Sequence, residues 1–380
     1  MGKTALVLGA GIGGIVVAET LRQLLPSEHR VVVVERQRRH VFAPSLLWHM
    51  VGTSEPADFT RSIDALAAKG IELVAGEVTR IDPAALSVEA GATTLAGDAL
   101  VVALGADYAP ETVPGLAELG HNLYTLEGST KIRAALEAFG GGRIVVLTAS
   151  PAYKCPAAPY EAAMLIEGFC RKRGLRAKTE IAIHAAEPMP MPVTGPVVGA
   201  QVKAVVEGRG IAYFPSHQVT RVEAGALHFA DGTVPFDLLF YVPPHRAPAV
   251  VKDAGLCAES GWIAVDRETM ATKFPNVYAI GDVISVPLKM GRPLPKAGVF
   301  ANGQAKVVAQ NIARAWTGKG ESARFDGHGL CFLETGGGTA GIGSGNFYAE
   351  PLPDVRLRSP SPLWHLGKIL YEKYWLWSRF

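Results

Sequence analysis

Cys155 and Cys331 are the residues whose surroundings best suit redox chemistry. Cys155 lies in SPAYKCPAAPYE, residues 150–161, between a strand pattern and a helical one, and Cys331 opens CFLETGGGTAGIG. A thiolate at either position can exchange with a disulfide or a sulfur donor and pass an electron pair to a bound acceptor. The two are 176 positions apart, so a redox pair and two separate thiols both fit the chain at this point. Glu161 falls in the expected first turn of the helix after Cys155. It reads either as a proton carrier or as a favourable charge at a helix start. Cys170 sits among apolar helical positions and reads as core, and Cys257 reads as structural. No His or Cys falls at metal-ligand spacing, so no metal site is expected. His121 and His217, each alone, read as structural or exposed unless an electron acceptor lies beside them.

A cofactor site is legible at the other end of the chain. TALVLGAGIGGIVVAETLRQLL, residues 4–25, runs from an apolar strand through a glycine turn into a helix, and VVVVE at 31–35 follows as a second strand. Gly9, Gly11 and Gly14 match GxGxxG, and Glu35 stands 21 residues beyond Gly14. Glycine is required there for the tight turn, for the approach of pyrophosphate and for helix packing, while the acid at the strand end binds ribose. GDALVVALGA at 97–106 predicts a strand ending at Gly105, where backbone can approach a cofactor. FPNVYAIGDV predicts another, ending at Gly281 and Asp282. The helical pattern at 299–316 points its first amides toward an anionic ligand.

RIVVLTA at 143–149, a helix over about 158–173 and the strand TEIAIHA make a second βαβ unit. Its turn holds Pro151, Pro156 and Pro159 in place of glycines, so no second pyrophosphate cradle is expected. A further helix is expected around 58–69. The fold class is therefore α/β, with two Rossmann-like units interleaved in sequence: residues 1–110 with 245–320, residues 111–244 carrying Cys155, and a C-terminal region 321–380 carrying Cys331. The chain has 380 residues, of which 48% are apolar and 19% charged, and its formal charge is +2. These values exclude a disordered chain, and no basic block suggests a nucleic acid partner. No run approaches 18 apolar residues, so no membrane-spanning helix is expected. The glycine-rich apolar stretch after Lys3 does not read as a signal peptide.

Together GAGIGG with Glu35, FAPSL at 42–46, KCPAAPYE, YAIGD, PLPKAGVFANGQA at 293–305 and GLCFLETG resemble the sulfide:quinone oxidoreductase family, a branch of the flavoprotein disulfide reductases. The resemblance spans about residues 3–350. It implies FAD at Gly9, Gly11, Gly14, Glu35, Gly105, Gly281 and Asp282, with quinone as electron acceptor. It implies that Cys155 and Cys331 cycle through disulfide and persulfide forms, with Cys331 passing electrons to the flavin. Glu161 is then the proton-transfer residue and Lys296 the basic residue near flavin and quinone, with Lys289 a looser candidate. Residues 106–154 contain no third cysteine, and HVFAPSL contains none that could tether FAD, so a two-cysteine mechanism and non-covalent FAD are expected.

The last residues, LWHLGKILYEKYWLWSRF, hold three of the six tryptophans, Trp364, Trp375 and Trp377. With Lys368, Lys373 and Arg379 they predict a helix lying at a bilayer surface, rings at headgroup level and cations toward phosphate. A helix docked on the protein, or one in a homo-oligomer interface, also fits. The resulting expectation is a peripheral, monotopic enzyme of undetermined membrane face that oxidises sulfide and reduces quinone. The alternatives are a sulfide dehydrogenase subunit serving a cytochrome, an NADH:quinone oxidoreductase and a non-enzymatic flavin-binding protein.

Overall fold

The computed structural model describes residues 2–380 and contains two parallel sheets. The first runs in the order Val277–Ala279, Ala99–Val102, Thr4–Leu8, Arg30–Glu35, Glu72–Ala75. Its strands are near-continuous Val, Leu and Ala runs, as expected where both faces are covered. Helix α1, Ile12–Leu24, crosses between the first two strands in sequence. The second sheet has the order His121–Asn122, Leu238–Val242, Gly142–Thr148, Thr179–Ala185, Ala212–Phe214, all parallel, with helix α2, Ala158–Lys172, as its crossover. Both sheets are Rossmann-like, and each has its own apolar core.

Helix α3, Gly298–Thr317, packs along α1. Glycine allows this approach, since a Cβ at Gly298 would lie 2.5 Å from Ile12 Cδ1, and Gly13 of α1 likewise makes room for Ile280, at 2.9 Å from a Cβ there. A three-stranded antiparallel sheet follows, His328–Gly336, Thr339–Asn346 and Asp354–Ser361, and leads into helix α4, Pro362–Arg379. Among the described residues no helix is long and apolar enough to cross a membrane.

The segment around 58–69 departs from the expected helix. Only Pro56–Phe59 forms a short helical turn, Thr60–Ser62 pairs as a strand with Arg39–Val41, and Ile63–Lys69 is a 3₁₀ helix. The β-branched Thr60 takes the ladder, and the Ser62 side chain then accepts from Asp64 N to start the tighter helix.

The tail is a helix, but its cations do not all point outward. Lys368 is buried in an ion pair with Glu161, and Arg379 pairs with Glu19. Trp375 is 2% exposed and lies against Phe42 and His40. Glu372, also buried, accepts from Ser45 Oγ. A helix docked through four polar or amphipathic residues presents its apolar ones instead: Leu363, Leu366, Leu370, Tyr374 and Trp377 form the exposed stripe.

Candidate functional site

The glycine turn after Thr4–Leu8 is sterically closed on one side and open on the other. Gly9 has φ +99°, and a Cβ there would sit 2.6 Å from the Ala103 carbonyl oxygen. A Cβ at Gly14 would stand 1.8 Å from the Gly9 carbonyl oxygen. Gly11, at the N-cap of α1, faces open space, with no side chain capping the helix and no acid in its first turn. Its free amide donors and dipole therefore suit a pyrophosphate. The Glu35 carboxylate closes the end of this cradle, accepting from Ala10 N at 2.7 Å and Gln37 N at 2.9 Å. Gly105 (φ +73°) also faces open space. Gly281 (φ +75°) donates to Gln304 Oε1 at 2.9 Å, beside Asp282. The first turn of α3 likewise has neither a side-chain cap nor an acid. This constellation fits a dinucleotide such as FAD.

Lys296 links this cradle to the cysteine turn. Its ammonium donates to the carbonyls of Asp282 and Ile284, both at 2.7 Å, and lies 3.4 Å from the centroid of the Trp262 ring. Burial pulls its pKa down to about 8, with Asp282 opposing. Its own carbonyl accepts from Cys155 N at 2.7 Å. Lys289, the looser candidate, is exposed.

Cys155 sits at φ +48°, in the left-handed region that a side chain rarely adopts. The turn is held there from several directions. Tyr124 Oη donates to the carbonyls of Lys154 (2.7 Å) and Cys155 (3.2 Å), and Lys154 lies over the rings of Tyr108 and Tyr124. Beneath it, the fully buried Glu187 accepts from Thr148 Oγ1 (2.6 Å), Tyr160 Oη (2.6 Å) and Tyr153 Oη. Glu187 follows the second strand of its βαβ unit, as Glu35 ends the second strand of the first. Three protein hydroxyls, two of them from tyrosines, occupy its carboxylate.

Cys155, Cys331, Glu161 and Lys368 interact electrostatically in one cluster. Glu161 Oε1 accepts from Glu334 N at 2.8 Å, which ties α2 to the strand carrying Cys331, and from Lys368 Nζ at 3.0 Å. Glu334 in turn meets His365 Nδ1 at 3.0 Å, and burial raises its pKa. Both cysteines are free thiols. Burial pushes Cys155 far up, and Glu161 and Cys331 add to the effect. Cys331 is exposed on its strand, and desolvation of its sulfur together with the Glu161 charge raises it to about 11. The Lys368 ammonium acts in the opposite direction on both thiols. Such a cluster can exchange sulfur at the cysteines and move protons at a buried carboxylate.

Among the other candidates, Cys170 is fully buried in α2 and Cys257 half-buried. His121 stacks on Phe240, and His217 stacks on Phe229 and contacts His184, both in the second unit. Sequence reasoning missed Glu187, Glu334 and Lys154, and it placed Lys368 on the wrong face of its helix.

Comparison with known proteins agrees with this geometry. The chain is 25% identical over 376 residues to the mitochondrial sulfide:quinone oxidoreductase of Mus musculus, covering 91% of this chain and 79% of the mouse protein. It is 26% identical to the sulfide-quinone reductase of Aquifex aeolicus, covering 100% and 91%. The crystal structure of the sulfide:quinone oxidoreductase from Aquifex aeolicus superposes with a TM-score of 0.90 over 99% of this chain and 91% of that one, at 23% identity. Two Rossmann-like sheets, an open glycine cradle and a cysteine turn between them accord with the match of residues 3–308 to the family model for pyridine nucleotide-disulphide oxidoreductases, and the chain belongs to that family.

Proposed function

We propose that the protein is a peripheral, FAD-dependent sulfide:quinone oxidoreductase. The observation that carries this reading is the cluster of Cys155, Cys331, Glu161 and Lys368 at the end of the second Rossmann-like sheet. It is supported by likeness to sulfide:quinone oxidoreductases along nearly the whole chain. Residues 1–110 with 245–320 would form the FAD domain, 111–244 the domain of Cys155, and 321–380 the region of Cys331 and the surface helix.

Gly9, Gly11, Gly14 and Glu35 would hold the adenosine and pyrophosphate of FAD, and Gly105, Gly281, Asp282 and Lys296 the remainder, with no covalent tether. FAD, when bound, supplies the two-electron acceptor between sulfur chemistry and quinone. In the oxidised protein, hydrosulfide attacks a Cys155–Cys331 disulfide. A new sulfur–sulfur bond forms to one cysteine, the bond between the cysteines breaks, and the other cysteine leaves as a thiolate carrying the electron pair. Glu161, held by Glu334 N and Lys368, takes the proton of the new persulfide. A second sulfide or another sulfur acceptor then removes the sulfane sulfur. Lys296 places a positive charge at the cofactor end of the cysteine turn, and the apolar stripe of α4 gives access to a lipid-soluble quinone.

The test mixes anaerobic holoenzyme with sulfide, and separately with NADH, while flavin absorbance is followed, before a soluble quinone is added. Bleaching by sulfide and reoxidation by quinone are expected. Bleaching by NADH alone overturns the proposal in favour of an NADH dehydrogenase. Bleaching by sulfide without reoxidation by quinone points instead to a cytochrome acceptor.

A further inference from the structure

Helix α4 has two faces with different tasks. Leu363, Leu366, Leu370, Tyr374 and Trp377 point outward, whereas His365, Lys368, Glu372 and Trp375 point into the protein. Lys368 is the inward cation that enters the cysteine cluster. It is 6% exposed, 3.0 Å from Glu161 Oε1, 3.9 Å from Glu334 Oε1 and 5.0 Å from the centroid of the Trp48 ring. A lysine so deeply buried would ordinarily lose its proton. Burial does oppose its charge, but Glu161 and Glu334 outweigh burial and keep the ammonium. Its partners come from several elements: Glu161 from α2, Cys155 from the turn before α2, Cys331 and Glu334 from strand His328–Gly336, and Trp48 from helix Leu46–Met50, while on α4 itself His365 contacts Glu334 and Tyr371 acts on Cys331.

We propose that Lys368 is a positioning residue of the sulfide-oxidising site: its ammonium holds the Glu161 carboxylate beside the two cysteines and favours their thiolates, so that the redox pair works only while α4 is seated. This rests on the reading of Cys155 and Cys331 as the redox pair. The same helix that offers an apolar face outward thereby completes the sulfur site inward. Desolvation and the Glu161 charge both disfavour thiolate formation at the two sulfurs, and a nearby cation offsets them. Lys368 is the cation that acts on both. Lys154 acts on Cys155 but has no such effect on Cys331.

The test measures alkylation of reduced holoenzyme by iodoacetamide across pH 6 to 10, with Cys155 and Cys331 resolved by mass spectrometry. K368Q keeps a hydrogen-bond donor toward Glu161 and removes the charge. Both thiols titrate above this range, so the readout is the alkylation rate at fixed pH, which K368Q is expected to lower about tenfold at each cysteine, equivalent to about one pH unit. K368R is expected to restore the parent profile. K368M provides a second uncharged variant if K368Q loses FAD or its fold. Unchanged alkylation rates at both cysteines in a folded, FAD-loaded K368Q or K368M overturn the proposal. No sulfide is used, so the two readings fail separately. A shifted profile in a protein whose flavin ignores sulfide sinks only the proposed function, and an unshifted profile in a protein that oxidises sulfide sinks only the role of Lys368.

Discussion

Replacing Leu363, Leu366 and Leu370 together by serine tests whether the outer face of α4 is what holds the protein at a membrane. These side chains are 64%, 50% and 59% exposed, so roughly half of each leucine remains to be removed from water. Full burial of a leucine is worth about 1.5–3 kcal/mol, so the exposed shares correspond to about 1–2 kcal/mol each and about 3–5 kcal/mol together. At about 1.4 kcal/mol per factor of ten, the triple variant should bind vesicles about 100-fold to a few thousand-fold more weakly. The assay is co-sedimentation with phosphatidylcholine vesicles over a range of lipid concentrations, with flavin content measured in parallel. FAD should be retained, because the three leucines point away from the cofactor cradle. A triple variant that partitions like the parent would refute the assignment of this face to lipid. Deleting the whole helix is the weaker experiment: Lys368, Glu372, Trp375 and Arg379 lock it to the body, and its loss would also strip Glu161 of its cation.

The remaining predictions concern the interior. Cys155→Ser and Cys331→Ser should each retain FAD and lose at least about 100-fold in sulfide-dependent flavin reduction by anaerobic stopped flow, since thiolate chemistry has no serine substitute; wild-type rates would reject the pair. Glu187→Gln should leave FAD content unchanged while lowering the unfolding midpoint and slowing sulfide oxidation. Replacing an acceptor of three buried hydroxyls by an amide leaves donors competing, at a cost of about 1–3 kcal/mol. Lys296 has its folded pKa lowered from 10.5 to about 8, so between these values the unfolded chain binds more protons than the folded one. Its contribution to stability therefore rises from pH 8 to pH 10.5. Relative to Lys296→Met, the parent's melting temperature should climb over that window, and a constant difference would argue against a desolvated ammonium.

The cofactor half of the molecule was readable because each of its demands is local. Gly9 and Gly14 are required by backbone contacts within one turn, and Glu35 ends an uninterrupted Val run. The segment 58–69 was not readable by periodicity, because the partner of Thr60–Ser62 lies at Arg39–Val41 and nothing in the local pattern announces the pairing. Helix α4 was legible as amphipathic but was turned the wrong way. Lys368, Glu372 and Trp375 recur at one helical face and the leucines at another, and sequence alone does not say that here the charged face is the buried one. Glu187 left a fainter signal. An acid just past the second strand of the second unit repeats the placement of Glu35, and two tyrosines flank the cysteine turn that it anchors.

Glu187 gives the second Rossmann-like unit an engineering constraint. The hydroxyls it binds come from the turn that holds Cys155 in a left-handed conformation (Tyr153) and from the strand and helix on either side of it (Thr148, Tyr160), so a coenzyme ribose at this carboxylate would compete with the anchoring of the cysteine turn. A redesign that inserts glycines after Thr148 to admit a nicotinamide coenzyme would have to evict Tyr153 and free Glu187, and in doing so would unmoor the sulfur chemistry. On the proposed reading, a chimera meant to use both electron donors would have to place its second donor elsewhere.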